Sequence, residues 1–264
     1  MHSRWYKLGL ALGVCWLSAC GPTQTVEDDT LQIAVIPKGT THEFWRSIHA
    51  GAKKAEQELV AEGQKVAIIW KGPLKEDDRD QQIQLVENFT TRRVDGMVLA
   101  PLDAQALVRP VENAQNAGIP VVIIDSGLQS EKYVSFVATD NLIGGEMAGK
   151  FMAEQLGGKG NAILLRYAVG SASTENRENG FLKALEAYPE IELISSDQYA
   201  GPTRETAYQA SQNLLQRFGQ EVDAIFCVNE NSTIGMTKAL REIGRAGGQV
   251  KMIGFDAGSQ SIKD

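Results

Sequence analysis

From residue 31 onward, short β-branched apolar runs alternate with helix-length segments whose apolar residues recur every three to four positions. The runs predict strands at 31–36, 66–70, 96–100, 120–124, 134–137, 162–165, 192–195, 224–228 and 251–255. Between them, stripes such as Phe44, Ile48, Ala52, Ala55 and Leu59, or Met236, Leu240 and Ile243, predict helices that lay one face on a sheet. Strands separated by helices build parallel sheets, so the predicted class is α/β. The stretch Thr139-Asp140-Asn141 joins a helix-capping residue to a break in the apolar pattern, and it is read as a crossing between two units. An N-terminal α/β lobe of four βα repeats over 31–139 and a similar lobe over 140–264 are expected, with a cleft between them.

Ligands of open parallel sheets sit beyond the carboxyl ends of the strands, where loops converge and helix N-termini offer free N–H groups. The first strand leads into Lys38-Gly39-Thr40-Thr41-His42-Glu43-Phe44-Trp45, and the fourth into Asp125-Ser126-Gly127. In the second unit, the segment after Leu165 leads through Gly170 and Thr174 to Arg177, the strand near Ala224 ends in Asn229-Glu230-Asn231, and the last strand ends in Asp256. Carboxylates, a guanidinium and a carboxamide are directional partners for hydroxyl groups, and aromatic faces suit the C–H side of a sugar ring. Phe44, Trp45, Asp125, Arg177, Asn229 and Asp256 are therefore the candidate ligand-binding set, and none needs to be a nucleophile. Each also has a plainer role open to it. Asp125, Asn229 and Asp256 can form turns or caps, Arg177 can pair with Glu175 or Glu178, and an aromatic residue in a first helical turn can be core. Asp103 is read as a cap, Gly144-Gly145 as close helix packing and Cys227 as a small buried hydrophobe.

Composition narrows the classes further. A chain of 264 residues, 43% hydrophobic and 22% charged, has ample material for a core and is not a disordered segment. The formal charge is −7 and the basic residues are scattered, which gives a nucleic-acid surface no electrostatic basis. The three cysteines and three histidines show no metal-ligand spacing. No GxGxxG after the first strand, P-loop or GxSxG elbow occurs, so neither a cofactor nor an enzyme activity is expected. The N-terminus differs from the rest: Arg4 and Lys7 precede an uninterrupted apolar run from Leu8 to Leu17, the length of a secretory h-region.

The residues Ile33-Ala34-Val35, Gly51-Ala52, Ile119-Pro120-Val121, Ala138-Thr139-Asp140-Asn141, Gly144-Gly145, Arg177 before Gly180-Phe181, and Gly254-Phe255-Asp256 together resemble the bacterial periplasmic sugar-binding proteins of the ribose-binding type, the solute receptors of ABC importers. The resemblance implies two Rossmann-like lobes that hinge shut on one sugar or polyol and a monomer whose closed form docks on an ABC permease. It places ligand contacts on His42, Phe44, Trp45, Asp125, Arg177, Asn229 and Asp256, and the hinge at Thr139 and Asp140. Ser126 stands where ribose receptors tend to carry arginine, which points away from ribose, and Tyr199 is the aromatic residue nearest to the expected second-lobe wall. Leu17-Ser18-Ala19-Cys20 resembles a lipobox, implying a signal peptide over 1–19, lipidation of Cys20, a tether over 20–30 and an extracytoplasmic, membrane-anchored protein. The family continues past the position of Asp264 with elements of both lobes, so both are expected to be incomplete here, with poor solubility or no binding as the consequence. The alternative to import is sensing, with the closed receptor engaging a histidine kinase or chemoreceptor. A repressor is not expected, because the leader stands where a helix-turn-helix would be.

Overall fold

The computed structural model of the protein describes residues 29–258. The expected leader, Cys20, the tether up to residue 28 and the final stretch 259–264 lie outside the described residues. Strands and helices follow one another as β1 (Leu31–Ile36), α1 (Glu43–Ala61), β2 (Val66–Trp70), α2 (Arg79–Thr91), β3 (Gly96–Leu99), α3 (Val108–Asn116), β4 (Val121–Ile124) and β5 (Ser135–Val137). After the crossing come α4 (Asn141–Leu156), β6 (Lys159–Leu165), α5 (Ala172–Leu185), β7 (Glu190–Ser195), α6 (Arg204–Phe218), β8 (Ala224–Cys227), α7 (Glu230–Glu242) and β9 (Lys251–Gly254). The class is α/β, with one parallel sheet ordered β2-β1-β3-β4-β5 and another ordered β7-β6-β8-β9.

The first half departs from four βα repeats. Residues 125–134, between β4 and β5, carry no helix, and the connection instead packs Leu128 and Tyr133 on the core. Right-handed crossovers explain the layers. The step from β1 to β2 runs toward one edge and the later steps run back, which puts α1 on one face and α2 and α3 on the other. Val86, Phe89, Val111 and Ala114 of α2 and α3 close over Ala34, Ile36, Leu99, Val121 and Ile123 of the sheet. On the opposite face α1 stands without a second helix of this lobe beside it among the described residues. Its expected apolar stripe is accordingly half open: Trp45 is the buried residue of α1, while Leu59 is 40% exposed. The second sheet is covered on both sides, by α4 and α5 over Leu164 and Phe226, and by α6 and α7 over Ile163 and Ile225.

Two local devices shape the strand ends. Gln82 of α2 is fully buried; its Nε2 donates to the carbonyls of Pro37 and Ala100, and its Oε1 accepts from the Leu102 N–H. That one side chain ties together the loops leaving β1 and β3, where the strand order reverses and a ligand crevice belongs. At the crossing, Asp140 caps α4 by accepting from the Ile143 N–H at 3.0 Å, and Asn141 donates to the Thr139 carbonyl. Each satisfies a polar group that a helix start or an open loop would leave exposed.

Candidate functional site

The loops at the carboxyl ends of the two sheets face each other across a narrow crevice with about 40 Å³ of water-accessible space. Its lining contains His42, Phe44, Trp45, Asp125, Arg177, Asn229 and Asp256, the whole set expected from sequence, and adds Lys38, Glu76, Tyr167, Ser173, Thr174, Glu230 and Asn231. The first sheet supplies the residues after β1, β2 and β4. The second supplies those after β6, β8 and β9.

In the first lobe the crevice is organised around Glu76, a residue the sequence reading passed over. Thr40 and Thr41 donate to the carbonyls of Pro73 and Leu74, fixing the loop after β1 against the loop after β2 that carries Glu76. Glu76 Oε1 accepts from His42 Nδ1 at 2.7 Å and from Trp45 Nε1 at 2.6 Å. The other oxygen accepts from the hydroxyl of Tyr167, across the crevice. Burial alone would push the Glu76 carboxyl up, but the bonds from His42 and Tyr167 and the nearby Lys38 charge outweigh it and hold the group below its usual range. The His42 imidazole is raised in turn, chiefly by its bond to Glu76. Phe44 meets Trp45 edge to face at 5.0 Å, so both aromatics wall the crevice, although Trp45 spends its polar edge on Glu76.

In the second lobe Arg177 plays the organising part. Its guanidinium is 5% exposed and ignores both acidic neighbours on α5: it donates to Asn141 Oδ1 at 2.8 Å, to the Val228 carbonyl at 2.9 Å and to Asp256 at 3.2 Å, lying 3.7 Å over the Phe255 ring. Glu178 pairs with Arg166 instead. Asp256 is raised by burial and by the charge of Asp125 across the crevice, partly offset by Arg177. Asn229 lies two residues past β8 and accepts from Ser232, so its carboxamide oxygen caps α7 as well as standing in the wall. Tyr199 lies outside the crevice, 40% exposed against Arg166, because its strand-like pairing with Arg166 turns it to the outer edge. The second-lobe aromatic is Tyr167, directly beyond β6 and 2% exposed. Burial and the Glu76 charge push its phenol well up, so it remains a proton donor. The strand-end rule, read after β6 only from Gly170 onward and not applied after β2, passes over both Tyr167 and Glu76.

The two lobes touch. Lys38 donates to the hydroxyls of Ser171 and Ser173 at 3.2 Å each, Ser173 N–H donates to Ser126 Oγ at 3.1 Å, and Ala104 N–H donates to the Gly170 carbonyl at 2.9 Å. Ser126, where an arginine is the ribose-type expectation, thus serves lobe contact. Asp103 caps the turn before α3, accepting from the N–H groups of Gln105 and Ala106. Among the described residues no group of three His, Cys, Asp or Glu side chains could hold a metal ion.

Residues 33–263 match the family described as periplasmic binding protein domain. Similar curated proteins include the xylitol-binding protein of Mycolicibacterium smegmatis, 28% identical over 91% of this chain and 66% of its own length, just under two thirds. The ribose import binding protein RbsB of Haemophilus influenzae is 30% identical over 89% of this chain and 75% of its own. Among solved structures, the periplasmic component of an ABC-type sugar transport system from Hahella chejuensis has a TM-score of 0.82 at 31% identity, covering 88% of this chain and 82% of that one. An ABC transporter solute binding protein from Agrobacterium vitis with bound D-fucose has a TM-score of 0.81 at 34% identity, covering 88% and 78%. The family match takes in both lobes and every strand end that feeds the crevice, and the chain therefore belongs to the periplasmic binding protein family, of the ribose-binding type.

Proposed function

We propose that the protein captures one uncharged sugar or polyol in the interlobe crevice, outside the cytoplasm, and presents its closed form to an ABC permease. The observation that carries this reading is the pairing of charges in the crevice wall. Lys38 stands 3.5 Å from Asp125, His42 2.7 Å from Glu76 and Arg177 3.2 Å from Asp256, and Glu230 of the wall stands 3.0 Å from Arg204 just outside it. With each acid matched to a base, the wall offers many directional donors and acceptors and little surplus charge, which suits a neutral polyhydroxylated molecule. Phe44, Trp45 and Tyr167 add apolar ring surface. The names of relatives support the same class: xylitol, ribose and D-allose among curated proteins, D-fucose and D-arabinose among solved structures.

Ligand contacts from both lobes would favour closure in proportion to the difference in affinity between closed and open states. Thr139 and Asp140, at the crossing from β5 to α4, are the proposed hinge. The proposed export signal ends before Cys20, whose lipidation would anchor the protein at the membrane surface. The experiment is a thermal-shift and calorimetric screen of ribose, allose, arabinose, fucose and xylitol. A true ligand at a hundredfold excess over Kd stabilises by about 2.7 kcal/mol, and Asp125→Ala should remove that gain. No shift with any of the five, or a shift that survives Asp125→Ala, would count against this reading.

A further inference from the structure

Among the described residues, one buried side-chain polar atom lacks a hydrogen-bond partner: Oδ1 of Asn231. Asn231 is 2% exposed, lies in the first turn of α7 and belongs to the crevice wall. Its orientation is determined by its neighbours. Nδ2 donates to the Pro202 carbonyl at 2.9 Å and stands 3.4 Å from both ring nitrogens of His42. Turning the amide over would set two carbonyl-type oxygens against each other, so Oδ1 is held as the atom left over. A buried acceptor without a donor costs about 1–3 kcal/mol, and native proteins keep few of them. Asn229, on which the family resemblance places a ligand contact, has already given its own Oδ1 to the Ser232 N–H and hydroxyl.

We propose that Asn231 is a specificity-determining contact: its Oδ1 accepts a hydrogen bond from a ligand hydroxyl at the His42 side of the crevice. The inference rests on the sugar or polyol reading and sharpens it. The group placed there must donate, so an analogue that replaces that hydroxyl by hydrogen or by a methyl ether is rejected, whereas changes at other ring positions are read by other residues.

The test is titration calorimetry with the tightest binder among the five compounds named above and each of its monodeoxy analogues, on the wild-type protein, Asn231→Ala and Asn231→Asp. One deoxy position should weaken wild-type binding at least about tenfold, yet cost Asn231→Ala less than about twofold, because the acceptor it would orphan is gone. Asn231→Asp sets its second oxygen against the Pro202 carbonyl and should lower affinity overall, but it keeps the acceptor oxygen, so the penalty at that one deoxy position should persist. Should Asn231→Ala fail to fold, Asn231→Ser, whose side chain is too short to reach, is read in the same way. If every deoxy penalty is unchanged in the Ala or Ser variant, Oδ1 is satisfied by a buried water only and the inference falls while the sugar reading stands. If the wild-type protein binds none of the five, the sugar reading falls and takes this inference with it.

Discussion

Asp125 and Asp256 stand in opposite walls of the crevice with the same left-handed backbone, at φ 62° and 67°. Each lies just past the end of a strand, β4 or β9, and each is paired with a cation of its own lobe, Lys38 or Arg177. A left-handed conformation costs a residue with a Cβ roughly 1–2 kcal/mol, less for aspartate, whose side chain can bond locally. Both lobes thus spend backbone strain to turn a carboxylate toward the same space, an arrangement that capping alone would not require twice.

That strain separates binding from stability. Asp125→Ala and Asp125→Gly both delete the carboxylate and should both lose ligand binding. The alanine keeps the unfavourable backbone, whereas glycine relieves it, so Asp125→Gly should be about 1 kcal/mol more stable than Asp125→Ala in urea unfolding. Equal stabilities would mean that the left-handed turn at Asp125 carries no strain.

Tyr167 and Glu76 belong to different lobes, so their hydrogen bond exists when the crevice is shut. Tyr167→Phe keeps the ring and removes the donor, shifting the balance toward the open form without altering other ligand contacts. A hydrogen bond to a charged group is worth about 1.5–3 kcal/mol, which predicts at least a tenfold rise in Kd, uniform across every sugar that binds. Calorimetry on several sugars checks it. A change in their rank order would assign Tyr167 to recognition instead.

The strand-end rule made Asp125, Asn229 and Asp256 legible because each closely follows an apolar run that could only be a strand, and Arg177 because the start of its helix, α5, comes at the same end of the sheet. Glu76 was hidden by its surroundings: Lys75, Asp77, Asp78, Arg79 and Asp80 make the segment look like a solvated turn. Only the fold shows that His42, Trp45 and Tyr167 converge on it. Tyr167 was masked in another way: it lies past Arg166, in the stretch between Leu165 and Gly170 from which no candidate was taken, and Tyr199 drew attention in its place. The helices were visible as stripes, but a stripe says which residues could be buried and not whether anything covers them, as α1 shows. No pattern in one dimension could show that Asn229 would spend its oxygen on a cap while Asn231 kept one free.

The His42–Glu76 pair gives a pH dependence whose sign is fixed. His42 is raised above 6.5, so its contribution is complete below that value and is lost as pH rises through the raised pKa. Glu76 is lowered below 4.5, so its contribution is present above that value and is lost as pH falls through the lowered pKa. The pair therefore stabilises most between about pH 4.5 and 6.5, with a decline on both sides. Both residues belong to the first lobe, and Tyr167 of the second adds to the lowering of Glu76, so the effect concerns folding with the crevice shut even without ligand. The difference in melting temperature between the wild-type protein and Glu76→Gln, followed from pH 3 to pH 9, should peak in that window. A flat difference would show that the pair carries no linkage.

One substitution should act in opposite directions at two glycines. Gly145 lies where α4 crosses α5, and a Cβ there would collide with the carbonyl of Arg177; a Cβ on Gly180 would collide with that of Leu142. The two helices pack backbone to backbone at these points, which bears on the site because Arg177 is held at this contact. Gly145→Ala must push the helices apart, costing roughly 1–3 kcal/mol, and by moving the guanidinium it should weaken sugar binding although Gly145 is not in the crevice wall. Gly51, in α1, has open space where its Cβ would be. There alanine has the better helix propensity and a less flexible unfolded chain, so Gly51→Ala should stabilise by up to about 1 kcal/mol and leave binding unchanged. Urea unfolding and calorimetry on both variants decide the matter: if Gly145→Ala is as harmless as Gly51→Ala, the close crossing of α4 and α5 is not what positions Arg177.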